Sequence, residues 1–149
     1  MSGLISRYKI LKEHNLVIEY HSGILEFESF IEFVNKKTSD PKFTLDLDHL
    51  IDFRDVTFNT TENDITKSVG FFAKEILTKG EKRNIAVLTS TPKQVVSTTL
   101  YKIKQQENNS LVTIEIFSTS KRALEWLNIK TISINEIIAI KESLKRFKT

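Results

Sequence analysis

The chain is 149 residues long with 40% hydrophobic residues, no Cys, 4 Gly and 2 Pro, which fits one domain with a core large enough to need no staples. The missing Cys excludes a disulfide framework, thiolate metal sites and cysteine nucleophiles, and the composition excludes collagen-like and disordered chains. The net charge of +3 sits in the tail: residues 129–149 hold five Lys or Arg against two Glu, so the body is balanced.

Residues 5–11 and 16–20 read as two strands joined by the polar Lys12-Glu13-His14-Asn15, with His21-Ser22-Gly23 as a break after the second. From Ile24 the period turns helical, with Phe27, Phe30, Ile31 and Val34 on one stripe, Lys36 and Lys37 late, and Ser39-Asp40-Pro41 as the stop. Phe33 falls off that stripe and is expected to be partly exposed. Residues 45–53 form the next strand, centred on Leu50-Ile51-Asp52-Phe53. Thr60 and Thr61, followed by Glu62 and Asp64, open a helix that at least one of the two hydroxyls is expected to cap. Ile65, Val69, Phe72, Ala73, Ile76 and Leu77 then make an amphipathic stripe that Gly80 ends.

Residues 85–89 are a short apolar run of the kind buried on both faces of a parallel sheet. Thr91-Pro92 starts a helix whose Val95, Val96, Leu100 and Ile103 are expected to face inward. Residues 111–117 alternate as an edge strand does, and residues 118–127 form a short helix with Ala123, Leu124 and Leu127 inward. Ser133 and Glu136 make a capping box for the last helix. The order β, β, α, β, α, β, α, β, α with a further helix implies an α/β domain built on a mostly parallel sheet. The domain is placed at 1–128 and an amphipathic helical extension at 129–149.

Asp46, Asp48, Asp52 and Asp55 crowd one segment together with His49 and Arg54. One reading is a carboxylate pair or Asp/His site at the carboxyl end of a strand; the other is a loop lining plus ion pairs to Arg54. On a continuous strand Asp46, Asp48 and Asp52 share a face and Asp55 takes the other, too few convergent ligands for a metal. His14 and His21 are expected in solvent. No GxGxxG, P-loop or HExxH motif occurs, and glycines at 3, 23, 70 and 80 assemble no phosphate cradle. No metal and no cofactor are therefore expected. The Phe-rich stripe from Phe27 to Phe33 reads as core, with a small-molecule pocket as the alternative. The balanced body, with its aromatics at core spacing, argues against nucleic acid. No apolar run approaches the roughly 20 residues of a membrane span. The opening MSGLISRYKILKEHN lacks a signal-peptide pattern, so a cytoplasmic location is expected.

Leu16-Val17-Ile18 running into Ser22-Gly23, the helix end Ser39-Asp40-Pro41-Lys42-Phe43, the run from Leu50 to Val56, and Ala123-Leu124-Glu125-Trp126-Leu127 follow one another in a recognisable order. Over residues 5–127 this order resembles the STAS domain of SpoIIAA-like bacterial anti-sigma factor antagonists, and more closely the bacterial STAS/SEC14-like branch. The resemblance implies a SpoIIAA-like, mostly parallel sheet with helices packed against it, and a non-enzymatic regulatory module acting through an unidentified protein partner. It places the interaction or phospho-acceptor surface at Asp52, Arg54, Asp55, Asn59, Thr60, Thr61 and Glu62. Thr60 and Thr61 stand where the family carries a phosphorylated serine, whereas Asn59 and Glu62 depart from its Asp-Ser-Ser-Gly-like turn. Glu62 and Asp64 would repel a phosphate there. The alternatives are a small apolar-ligand, lipid-like binder and a hydrolase built on Asp52 and His49. In the tail, Ile134, Ile137, Ile138, Leu144 and Phe147 share an apolar face, with Lys141, Lys145, Arg146 and Lys148 supplying positive charge. This tail is expected to pack on its own domain or to swap within a homodimer, in preference to a membrane surface.

Overall fold

The chain begins with an antiparallel pair, β1 (Leu4–Leu11) and β2 (Leu16–Leu25), joined by a 3₁₀ turn over Lys12–His14. Asn15 closes the turn at φ 54, a left-handed conformation that Asn tolerates better than most residues. There follow α1 (Phe27–Thr38), β3 (Asp48–Phe58), α2 (Glu62–Phe72) with a π-helical turn over Ala73–Leu77, β4 (Arg83–Leu88), α3 (Pro92–Gln106), β5 (Val112–Phe117), α4 (Ser120–Leu127) and α5 (Ile134–Arg146). These elements belong to a computed structural model that describes residues 3–146. The strands lie side by side in the order β1-β2-β3-β4-β5, antiparallel at β1 and parallel from β2 onward.

Parallel neighbours advancing steadily across a sheet need crossovers of one hand, which puts the crossover helices on one face. Accordingly α1, α2 and α3 cover a first face, where Phe33, Val34, Ile51, Phe53, Phe72 and Val87 pack together. After β5 the chain turns under the sheet, and α4 and α5 cover the second face against Leu16, Ile18, Leu50 and Leu88. The alternation of Leu50 and Ile51 between the two clusters is the period-two signature of a strand buried on both sides.

Several expectations are corrected. Strand β2 runs through His21-Ser22-Gly23 instead of breaking there, because Gly23 pairs with Leu4 on one side and Val56 on the other. Gly23 sits at φ +96, and a Cβ there would collide with the Gly3 carbonyl. Strand β3 starts at Asp48 and continues to Phe58, later at both ends than the 45–53 expected. Its pairing shifts between Tyr20↔Asp52 and Ser22↔Asp55, a bulge that spends three steps of β3 on two of β2. The extra residue reverses the alternation, so Asp55 joins Asp52 on the second face rather than opposing it. Phe33 is buried, because its ring packs edge-on against Tyr8 and His21.

The largest correction concerns α3. Val95, Val96 and Ile103 are exposed, at 41%, 59% and 51%, while the buried positions are Gln94, Thr98 and Gln105. Gln94 explains part of this: it completes the capping box with Thr91, and its side-chain amide donates to the carbonyls of Arg54 and Val56. That anchor sets the rotation of the helix and carries Thr98, Tyr101 and Gln105, one, two and three turns on, to the inner side.

Helix starts fall where hydroxyls allow. Thr61 caps α2 in a reciprocal box with Asp64, Thr119 caps α4, and Ser133 Oγ accepts the Glu136 N–H ahead of α5. Helix α5 packs back on its own sheet with Ile137 fully buried and Lys141 1% exposed. Phe147 and Lys148 of the expected tail face lie outside the described residues.

Candidate functional site

Between the first face and its three helices lies a cavity of about 160 Å³ whose walls are almost wholly apolar. Phe30 and Val34 of α1, Ile51 and Phe53 of β3, Phe72 of α2 and Val87 of β4 form its body. Its polar lining comprises a buried charged cluster and several hydroxyls.

At the amino end, around the start of β3, stands a buried chain of ionisable groups. Glu19 and His21 follow Val17 on one side of β2, His49 opens β3, and Lys37 reaches in from the last turn of α1. Lys37 Nζ donates to Glu19 Oε2 at 2.6 Å and to His49 Nε2 at 3.1 Å. His49 Nδ1 lies 3.2 Å from the Leu47 carbonyl, His21 Nε2 lies 2.9 Å from Glu19 Oε1, and His21 Nδ1 lies 2.7 Å from Ser6 Oγ. The partners assign the protons: each ring donates from the nitrogen that faces an acceptor-only oxygen, and accepts at the other. Lys37 also lies over the rings of Phe33 and Phe43. Burial drives the His49 pKa down to about 3, with the Lys37 ammonium adding to the effect, so the imidazole is neutral. Burial opposes ionisation of Glu19, but Lys37, His21 and His49 together outweigh it and hold the carboxyl far below its usual range. Lys37 and Glu19 therefore neutralise each other. Nearby, Arg83 is engaged by the carbonyls of Ile76, Lys79 and Glu81 at the end of the α2 π-turn.

Elsewhere the lining carries two unpaired hydroxyls. Thr60, before α2, and Thr98, on the inner side of α3, line the cavity. Their hydroxyl oxygens are buried without a hydrogen-bond partner among the described residues, as are both amide atoms of Gln105. Asp64 lies on the same wall, its carboxylate accepting the Thr61 N–H at 3.0 Å, and that bond holds its pKa down.

The second face carries a separate charged cluster with every member paired. Asp52 accepts from Arg54 Nε at 3.1 Å, from Arg54 Nη2 at 2.9 Å and from Lys141 Nζ of α5 at 3.0 Å. Burial works against ionisation of Asp52, and the Arg54 hydrogen bonds with Lys141 override it, so its pKa is lowered. Asp55 accepts from the Tyr20 hydroxyl at 2.5 Å and lies 3.6 Å from Lys145. Of the two carboxylates read as partners of Arg54, Asp52 makes that pair and Asp55 is held by Tyr20 and Lys145 instead; among the described residues no group of three or more His, Asp or Glu is placed to hold a metal ion.

No protein-family model matches the chain, and no curated protein matches it either. Among solved structures it is similar to an uncharacterised protein of the DUF3478 family with a SpoIIAA-like fold from Shewanella loihica. The two superpose with a TM-score of 0.53 over 85% of this chain and 95% of the other, at 15% identity. The fold is SpoIIAA-like. At that identity the likeness speaks for the fold alone, and it agrees with the resemblance drawn from the order of segments.

Within the SpoIIAA-like frame the expected interaction surface does not hold together as one patch. Asp52 is 2% exposed beneath Lys141, and Thr60 lines the cavity with its hydroxyl oxygen buried. Arg54 is half-buried against Asp52, while Asp55, Asn59, Thr61 and Glu62 remain exposed. Asp52 and His49, paired in the hydrolase alternative, lie on opposite faces of the sheet because three steps separate them ahead of the bulge. They form no joint site. His21, expected in solvent, is fully buried, and His14 is hydrogen-bonded to Thr131 at 2.7 Å. Sequence reading missed Glu19, Lys37 and Thr98. The available signal was Glu19 and His21 alternating with Val17 on the inward parity of an apolar strand.

Proposed function

We propose that the protein is a non-enzymatic binding module for a compact, mainly apolar small molecule held between the sheet and α1–α3. The cavity carries this reading. Interiors pack to crystal density with few voids larger than a water, so an apolar space of 160 Å³ beneath three helices stands out from ordinary packing. It matches the roughly 150 Å³ of engineered apolar cavities that stay dry and take up benzene. It falls short of the roughly 300–1,000 Å³ of pockets for drug-sized ligands. A small ring or short branched chain suits it, and a long acyl chain does not. The site offers little for chemistry: Lys37 is tied to Glu19 and His49 is neutral, and the hydroxyl–imidazole–carboxylate chain Ser6–His21–Glu19 has its ring and its carboxylate buried away from solvent.

Toluene tests this. At ten times its Kd, a ligand bound only by the folded state adds about 1.4 kcal/mol, a melting rise of roughly 3–6 °C for a chain of this size. Saturable stabilisation of that order supports the reading, and an unchanged melting point at the solubility limit contradicts it.

A second reading, docking of a protein partner, is favoured by the exposed Val95, Val96 and Ile103 on the outer side of α3 and by the regulatory role that the STAS resemblance implies. Replacing these three residues with Gln should abolish any concentration-dependent self-association seen by light scattering. If association persists, that side of α3 is not the contact.

A further inference from the structure

We propose that the ligand of this cavity carries a neutral hydrogen-bonding group, a hydroxyl or carbonyl, on its apolar body, and that Thr60 and Thr98 receive that group. The inference rests on the reading of the cavity as a binding site and goes on to specify the chemistry of the ligand.

The first observation is what α3 turns inward. A helix covering a sheet ordinarily presents its apolar stripe to the core. Here Val95, Val96 and Ile103 face solvent while Thr98 and Gln105 are 6% and 0% exposed. Capping through Gln94 accounts for the rotation of the helix, yet it does not account for a hydroxyl and an amide left bare at the inner positions. A buried hydroxyl without a partner is unfavourable by about 1–3 kcal/mol on mutational evidence. Orphans of this kind are few in native proteins, and each calls for an ion, a water or a ligand. Three residues with such atoms, two of them lining the cavity, form a group of unmet hydrogen-bonding demands.

Water meets those demands poorly. A water between the two threonines would have only the minimum of the 2–4 polar partners that an internal water takes, among walls made mostly of Phe, Ile, Leu and Val. An ion meets them no better. The cation of Lys37 is already balanced by Glu19, and Arg83 is held by three carbonyls. Asp64, ionised at neutral pH, stands on the wall beside Thr60 and turns anions away. Desolvating an ion with no counter-charge is far more costly than desolvating a hydroxyl. The remaining class is neutral and amphiphilic: an apolar body among Phe30, Phe53 and Phe72, with one polar group at the two threonines. The π-helical turn that ends α2 contributes Ile76 and Leu77 to the lining, and such turns recur at functional sites.

Toluene and phenol, near-isosteres differing in one methyl or hydroxyl, test the inference by calorimetric titration of the full chain. In a purely apolar cavity phenol binds more weakly than toluene, because its hydroxyl loses water for nothing. In this protein phenol should bind more tightly than toluene. Thr98→Val should lower the phenol-to-toluene affinity ratio by roughly tenfold or more while leaving toluene binding in place, and Thr98→Ser should retain the preference. The ligand-free Thr98→Val protein should unfold at an equal or higher urea concentration, since the orphaned hydroxyl is gone. If toluene binds and the ratio favours toluene, or is unchanged in Thr98→Val, the polar-group inference falls while the cavity reading stands. If neither probe binds, both fall.

Discussion

The two faces of the sheet are built from the same strands, yet they are finished differently. Beneath α4 and α5, Leu16, Ile18, Leu50 and Ile137 are at 0% exposure, and the charged groups that accompany them all have partners. Beneath α1–α3 there is open space, and Thr60, Thr98 and Gln105 have buried polar atoms with no partner among the described residues. A chain that can pack one face to completion is not prevented by composition from packing the other. Departures from consistent packing cluster where proteins work, so the contrast supports the proposal that the second face supports the sheet and the first face binds.

The largest expected effect lies on the supporting face. Truncation after Asn128 removes Ile137 and Lys141, uncovers the second-face cluster and should leave the chain unfolded or melting far lower, as circular dichroism would show. Lys141→Met keeps the stem but strands Asp52 with Arg54 alone, and should reduce stability by about 3 kcal/mol in urea titration. Adding Asp52→Asn should return part of that loss, because the two sites share one interaction. A full-length Lys141→Met protein with an unchanged urea midpoint would show that α5 is not latched through this pair.

The binding face should respond to pH. His49 has an ordinary pKa of 6.5 and a folded value of about 3, so between those values the unfolded chain binds the proton and the folded one does not. Stability should therefore fall as pH drops from about 6.5 toward 3, by on the order of 1 kcal/mol per unit at most. Glu19, whose folded pKa is also lowered, adds to the loss only below its ordinary carboxylate range. His49→Gln should flatten the upper part of this slope, and an equal slope in both proteins would mean that His49 is not the group responsible.

A smaller effect separates the adjacent threonines. Thr61→Ala removes the α2 cap and should lower stability by about 1 kcal/mol. Thr60→Ala removes an orphaned oxygen and should change the ligand-free urea midpoint much less.

Much of the frame was legible in the sequence. The stripe Ile65, Val69, Phe72 does face the sheet, residues 85–88 are a central strand, and the hydroxyls at Thr61, Thr91 and Ser133 do begin helices. These are local signals, carried by periodicity and capping. The bulge in β3 was not legible, because it depends on how two strands pair, and it alone moves Asp55 to the face of Asp52. The rotation of α3 was not legible either, since Val95, Val96, Leu100 and Ile103 spell an inward stripe, and the anchor of Gln94 to β3 helps to turn Val95, Val96 and Ile103 out. The Lys37–Glu19–His49 chain joins three elements with no fixed spacing. The cavity is a property of packing and leaves no mark on hydropathy.

The measurement that bears most directly on the binding face is a titration of the full chain with toluene, followed through the methyl resonances of Val, Leu and Ile. Saturable shifts confined to first-face methyls such as Val34, Ile51, Val87 and Ile114, with Leu124, Leu127 and Ile137 unmoved, are the expected result. Shifts that never saturate, or that fall equally on both faces, would contradict a binding cavity beneath α1–α3.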